Sequence, residues 1–270
     1  MPEGRLDWVR QDTSLGPGED LDYGITLLRA VQSGALPVPL VRVYRPRPTV
    51  AFGQRDARLP GFDEARRACR RHGFEPVVRR AGGRAAAYHR GSLVVDHLAT
   101  SADAMVGFRD RFAGFGELFA RVFRDLGVPA AVGEVPGEYC AGEFSVHSTL
   151  PPSPDGSERG PVKLVGTAQR VVRGAWLFSS SLVVEDPDPL RAVLEDVYAI
   201  LELDWDPATA GAATDAVPGI TVGAYADRLR EVYAHAAPVR EPEGGRSPAV
   251  VDRSWADLLA AVSPVSPPAS

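Results

Sequence analysis

Val162-Lys163-Leu164-Val165-Gly166-Thr167-Ala168-Gln169 carries the one lysine of a 270-residue chain whose other 29 basic side chains are all arginine. The alternation running from Lys163 to Val172, and again from Ala175 to Glu185 beyond Arg173-Gly174, predicts two antiparallel strands joined by a tight turn. This pair is the seed of an α+β domain with a largely antiparallel mixed sheet backed by helices. Either basic residue can decorate a surface. A chain that has drifted almost wholly to arginine keeps lysine where a compact ammonium is hard to replace, so Lys163 is the first candidate for chemistry. Its plain alternative is a chance survivor of the arginine bias.

Upstream of this pair, Asp20 to Ser33 reads as a helix stopped at Gly34, and Asp63 as the cap of a short helix ending at Gly73. Leu40 to Tyr44 and Thr49 to Phe52 read as paired strands joined through Arg45 to Pro48. Phe74 to Arg79 and Ser92 to Asp96 read as strands flanking Gly82-Gly83. The stripe Phe108, Phe112, Phe115, Phe119, Val122 and Leu126 marks a long helix and assigns these side chains to a core rather than to a binding box. Helices follow at Pro189 to Leu203 and Val222 to His235, with Asp204 to Gly219 as a loop. Ser148 to Pro161, with its Pro-Pro-Ser-Pro-Asp-Gly-Ser run, interrupts a strand hairpin and reads as a flexible insertion. From Pro238 onward the composition is that of a low-complexity tail, with Trp255 to Val262 able to form one short helix. No repeat and no second core is evident.

Composition narrows the function classes. A net charge of -5 with 24% charged residues gives no basic excess for nucleic acid or an anionic membrane, and 44% hydrophobic residues suffice for a sizeable core. No apolar run approaches the ~20 residues of a membrane span, and Met1 to Asp12 has no signal-peptide core, so the cytoplasm is the expected address. No coiled-coil pattern is present, and a monomer is expected. Two cysteines form neither a disulfide framework nor a metal site, and no metal is expected. Cys69 lies one turn from Ala65 on the less polar face of its helix and reads as packing.

Chemistry gathers in three segments. In Val78-Arg79-Arg80-Ala81-Gly82-Gly83-Arg84-Ala85-Ala86-Ala87-Tyr88-His89, glycine N–H groups can face an acyl, carboxyl or phosphate oxygen, and Ala85, Ala86 and Ala87 leave room for an apolar chain. A plain hairpin turn with solvated Arg79 and Arg80, and a structural His89, is the alternative. In Gly137-Glu138-Tyr139-Cys140-Ala141-Gly142-Glu143-Phe144, Cys140 sits among small residues that leave it open to attack. The third segment is the Lys163 strand.

Taken in order, Leu40 to Gly53, Arg79 to His89 and Lys163 to Gln169 resemble the lipoate-protein ligase and octanoyltransferase family, over about Leu21 to Tyr233. The resemblance implies the fold of biotin protein ligases and class II aminoacyl-tRNA synthetases, with residues 1–237 as the catalytic domain. It implies a substrate tunnel lined by Arg79, Arg80, Gly82, Gly83, Arg84, Ala85 to Ala87, Tyr88 and His89, with Gly166, Thr167 and Ala168, and a Lys163 that contacts the acyl carbonyl. Tyr139 to Phe144 is similar to the nucleophile segment of the cysteine-dependent octanoyltransferases and amidotransferases, which implies Cys140 as nucleophile and no cofactor. The branch with its cysteine after the lysine motif is disfavoured, since no cysteine follows Cys140. The implied partners are an octanoyl carrier or glycine-cleavage H-type protein as donor and lipoyl domains of 2-oxoacid dehydrogenases as acceptors. The chain departs from the family in reading Ala81-Gly82-Gly83-Arg84 at the turn and Arg90 after the histidine. An ATP- and Mg-dependent ligase and a non-catalytic carrier-binding relative stay open. A biotin ligase is disfavoured by the lack of a Gly-Arg-Gly-Arg loop.

Overall fold

The computed structural model describes residues 5–235 and 249–262. In chain order it comprises β1 (Arg5–Gln11), α1 (Pro17–Gln32), β2 (Leu40–Tyr44), β3 (Thr49–Phe52), α2 (Phe62–Arg71), β4 (Glu75–Val78), β5 (Ala86–Tyr88), β6 (Ser92–Thr100) and α3 (Phe108–Asp125). There follow β7 (Ala130–Val132), β8 (Val146–Ser148), β9 (Val162–Val172), β10 (Ala175–Val183), α4 (Asp188–Ile200), α5 (Ala213–Ala216), α6 (Val222–His235), β11 (Ala249–Asp252) and α7 (Trp255–Ala261). Eight strands form one sheet in the order β11-β1-β2-β6-β10-β9-β8-β7, and β4-β3-β5 form a second. In the large sheet only β1 pairs in parallel, with β2 and β11, and the remaining ladders are antiparallel.

The β9–β10 hairpin turns at Arg173-Gly174 as its sequence implies, and Gly174 has φ +78°. Its partner on the other side is β8. Val162 pairs with Ser148, so residues 149–161 loop out of one hairpin, whose register shifts by a bulge between Val146 and His147.

Four expectations need correction. First, β2 and β3 do not pair. β2 is buried along its whole length and takes β1 and β6 as neighbours, whereas β3 centres the small sheet. The link between them carries Pro46 and Pro48, which fix φ and remove donors, so the chain crosses from one sheet to the other instead of turning back. Second, Gly61 rather than Asp63 precedes α2, and Asp63 lies in the first turn. Third, 204–219 contains α5 and a short 3-10 turn at Pro207–Thr209, and the tail contributes β11 as well as the helix α7. Residues 238–248 and 263–270 of the expected low-complexity tail lie outside the described residues. Fourth, the buried apolar side chains form three clusters rather than one core.

In the first cluster α3 and α6 cover one face of the large sheet. Phe115, Phe119, Val122 and Phe123 of α3 are all essentially inaccessible, and the Phe115 ring lies 4.4 Å from that of Phe178 on β10. Each such side chain contributes about 1.5–3 kcal/mol by leaving water. The second packs α2 and α4 on the small sheet, with Cys69 fully buried in it. Burial pushes that thiol up to about 12, so Cys69 is packing. The third joins α1 and α7 to the opposite face of the large sheet. Here Arg42 of β2, inaccessible to solvent, donates to Asp96 at 2.9 Å, to Gln11 at 2.7 Å and to the Asp20 carbonyl, with its guanidinium 4.2 Å from the Tyr44 ring centre. Burial raises the Asp96 carboxyl pKa, and the Arg42 charge opposes that rise. No helix among the described residues is long and apolar enough to cross a membrane.

Candidate active site

A cavity of about 480 Å³ opens where the small sheet meets the large one. Its walls come from the Arg79–Gly83 turn, from β5, and from Gly166, Thr167 and Ala168 along β9, with Leu177, Phe112 and Phe144 supplying apolar surface. Cys140 and Lys163 both face it.

The glycine turn wraps the thiol. Cys140 Sγ accepts from the Arg84 backbone N–H at 3.2 Å, and the Arg79 guanidinium reaches it at 3.7 Å. Gly83 has φ +98°, and a Cβ there would stand 2.8 Å from Sγ, so the turn tolerates no side chain at this point. Arg79 shapes the turn as well. It donates to the carbonyls of Gly82 at 3.0 Å, Ala51 at 2.9 Å and Arg84 at 2.8 Å, so one guanidinium ties β3 to both sides of the loop.

The loop carrying Cys140 is clamped from the opposite side. Lys163, 2% exposed, donates to the carbonyls of Tyr139 and Cys140, each at 3.0 Å, and pairs with Glu138 at 3.1 Å. The other oxygen of Glu138 accepts from the Gly142 N–H at 2.9 Å and the Ser145 hydroxyl at 2.8 Å. The Cys140 N–H donates to the Tyr198 hydroxyl at 2.8 Å, which itself donates to the Ala85 carbonyl at 2.9 Å. Within this frame Cys140 adopts φ +45°, a left-handed conformation that costs a non-glycine residue ~1–3 kcal/mol and survives where its surroundings dictate it.

Cys140, Lys163, Arg79, Arg80, Gly82, Gly83, Ala86, Ala87, Tyr88, Gly166, Thr167 and Ala168 are thus brought together around one cavity. Three expected residues do not line it. Ala85 precedes β5 and is buried in the second core with Ala87. Arg84 contributes its N–H to the thiol while its side chain pairs with Asp56 at 3.0 Å. His89 accepts from the Gly91 N–H at Nδ1 and contacts the Asp186 carbonyl through Nε2, so both ring nitrogens are engaged in holding a turn. Two functional side chains escape sequence reasoning altogether. Glu138 precedes Cys140 by two positions with nothing to mark it, and Tyr198 reaches the site from α4. Phe108, expected in the core, stands exposed at the cavity, whereas Phe112 packs against the first cluster and lines the cavity as well.

Residues 17–202 match the family model of the lipoyl protein ligase A/B catalytic domain. The chain is 28% identical over 169 residues to an octanoyl-[GcvH]:protein N-octanoyltransferase of Geobacillus kaustophilus, across 63% of this chain and 54% of that protein. It is 30% identical over 160 residues to one of an Exiguobacterium species, across 59% and 53%. The chain therefore spans about half the length of the curated relatives it matches. Among solved structures, lipoate-protein ligase A bound with ATP aligns with a TM-score of 0.61 at 22% identity, covering 86% of this chain and 84% of that one. A bi-partite lipoate protein ligase studied with its E2 lipoyl domain from Thermoplasma acidophilum aligns at 0.59 and 21%, covering 86% and 82%. These structural likenesses establish the fold, and the match over 17–202 establishes the kinship: this chain belongs to the lipoyl protein ligase A/B catalytic domain family.

Proposed function

We propose that the protein transfers an octanoyl or lipoyl group through a thioester on Cys140 to a lysine of a lipoyl-domain protein. The observation that carries this reading is the cradle around Sγ, in which a backbone N–H at 3.2 Å and a guanidinium at 3.7 Å converge on a thiol at the wall of a largely apolar cavity. Those donors lie beside the sulfur, where charge gathers as it attacks and again as it leaves. In the first half-reaction a Cys140 S–C bond forms to the acyl carbonyl, the donor's own bond to that carbon breaks, and the donor leaves as its thiol or lysine amine carrying the proton given up by sulfur. In the second, the acceptor amine adds to the acyl carbon, loses a proton, and the S–C bond breaks to return the thiolate. A thioester donor makes the net change downhill, and an acyl-lysine donor makes it an exchange of one amide for another; neither needs ATP. The relatives' name supports an acylated H-type protein as donor.

Beside the contact with the acyl carbonyl implied by the resemblance, Lys163 takes a second part. Its contacts with Glu138 and two carbonyls make it the residue that fixes the Cys140 peptide, and Arg79 with the Arg84 N–H take the thiol. The ATP-dependent ligase reading is compatible with the same fold; the acidic side chains lining the cavity are Asp22, Asp96 and Glu143, of which only Asp96, paired with Arg42, is buried.

The test is intact-protein mass spectrometry after mixing the protein with an octanoylated carrier without ATP, followed by hydroxylamine and peptide mapping. A hydroxylamine-labile octanoyl adduct on Cys140 is expected. Transfer only with ATP and free acid, undiminished in Cys140→Ala, would replace this reading with the ligase.

A further inference from the structure

Four large apolar side chains stand exposed among the described residues: Val78, Met105, Val106 and Phe108, at 38%, 64%, 69% and 38%. They are not scattered. Val78 and Phe108 line the mouth of the Cys140 cavity, and Met105 and Val106 belong to the loop that leads into Phe108. That loop is tied down. Arg111, itself buried, donates to the Val106 carbonyl at 3.0 Å and to that of Ala104, and its Nε reaches Gln169 of β9; Gln169 donates in turn to the Phe108 carbonyl at 3.2 Å. The structure therefore spends a buried arginine on holding two apolar side chains out in water beside the cavity. Single exposed apolar residues need no explanation, but a fixed cluster at a cavity mouth marks a contact surface.

The lining of the cavity is richer in arginine than in acid, although Asp103 and Asp110 flank the cluster itself. Arg79, Arg80, Arg109 and Arg170 line the mouth against two exposed acids, Asp22 and Glu143, on a protein whose net charge is -5. Arg80 and Arg109 answer those two acids, and Arg170 donates to the Arg80 carbonyl at 3.4 Å. An apolar centre containing methionine with an arginine rim is the anatomy of a protein-protein contact.

We propose that Met105, Val106 and Phe108, with the arginines of the mouth, form the docking surface for an acidic carrier domain that delivers its acylated or acceptor lysine into the cavity. This rests on the acyl-transfer reading. The Cys140 thiol lies within the cavity rather than on the rim, so a lysine held on a folded domain reaches it only with that domain seated against the mouth. The apolar cluster supplies the seat, and the positive rim selects an acidic face and speeds its arrival.

The experiment separates docking from chemistry. Met105→Ser/Val106→Ser alters two exposed side chains that touch no catalytic group, so its melting temperature should match the wild type. Binding of a bacterial lipoyl domain by calorimetry should weaken about tenfold in the double variant. For the wild type it should weaken by a further several-fold as salt is raised from low to physiological strength. Acylation of Cys140 by octanoyl-N-acetylcysteamine, which needs no docking, should proceed at the same rate in both proteins. Equal affinity of variant and wild type, affinity indifferent to salt, or no binding at all would each overturn the docking surface. Failure of the small thioester to acylate wild-type Cys140 would instead overturn the acyl-transfer reading, leaving the binding result to decide the surface by itself.

Discussion

Replacing Lys163 with methionine removes a cation from a place where three acceptors have been arranged for it. Its side chain and that of Glu138 are 2% and 0% exposed, and the pair stands 3.1 Å apart. The variant strands the Glu138 carboxylate in the interior with its Oε2 uncompensated and leaves the Tyr139 and Cys140 carbonyls without their donor. Breaking a buried pair from one side costs about 3–5 kcal/mol. In a chain of this size that corresponds to a fall in melting temperature of roughly 6–15 °C, read by calorimetry or circular dichroism. Lys163→Met/Glu138→Gln should regain most of the loss, since the stranded charge is gone, while Cys140 acylation stays strongly reduced because the Tyr139 and Cys140 carbonyls have lost their donor. Lys163→Arg keeps the charge, yet a planar fork cannot meet three acceptors clustered at 3.0–3.1 Å around one point, so it should also fail in turnover. A Lys163→Met protein that melts within about 2 °C of the wild type would refute this account of the clamp.

Gly83→Ala should slow alkylation of Cys140 by iodoacetamide about ten- to a hundredfold, because its Cβ would crowd Sγ at 2.8 Å and force the cradle apart; an unchanged rate would show that the thiol does not use this turn. His97 is buried among Phe115, Trp176 and Tyr233, and burial pushes its imidazole down to about 3. The unfolded chain takes up its proton below about 6.5 and the folded one does not until about 3, so stability falls as pH drops through that window, by up to about 1.4 kcal/mol per pH unit. Urea titrations between pH 7 and 4 should lose much of that slope in His97→Phe. Replacing residues 151–160 by Asn-Gly should keep the β8–β9 pairing and Leu150 against the first cluster and leave the melting temperature nearly unchanged, since loop length changes closure entropy slowly; cooperative unfolding lost in this variant would show that the removed residues pack.

What could be read in advance follows from where each signal resides. The α3 stripe and the β9–β10 alternation are local patterns, and the elements they announce are present. β1 and β11 were missed because they are paired to each other across the length of the chain, and neither shows its role until β2 is placed beside β1. Cys140 and Lys163 stood out by chemistry and by rarity. Glu138 and Tyr198 have no such mark, since a carboxylate in a loop and a tyrosine on an apolar helix face become significant only when α4 and β9 converge on the same peptide. His89 misled in the opposite direction, since its position beside the glycine turn counted for more than its two ring nitrogens, both engaged in holding a turn.

The thiol's neighbours come from two sheets that share no strand. The Arg84 N–H and the Arg79 guanidinium ride on the small sheet, whereas the peptide beneath Cys140 is gripped by Lys163 of the large one. Reactivity at Cys140 is therefore a gauge of how the two sheets are seated on one another. A slip between them too small to unfold either would silence the Cys140 thiol, so on warming its acylation should fade before secondary structure does. A substitution deep in the α2–α4 packing could then act as an inhibitor without approaching the cavity.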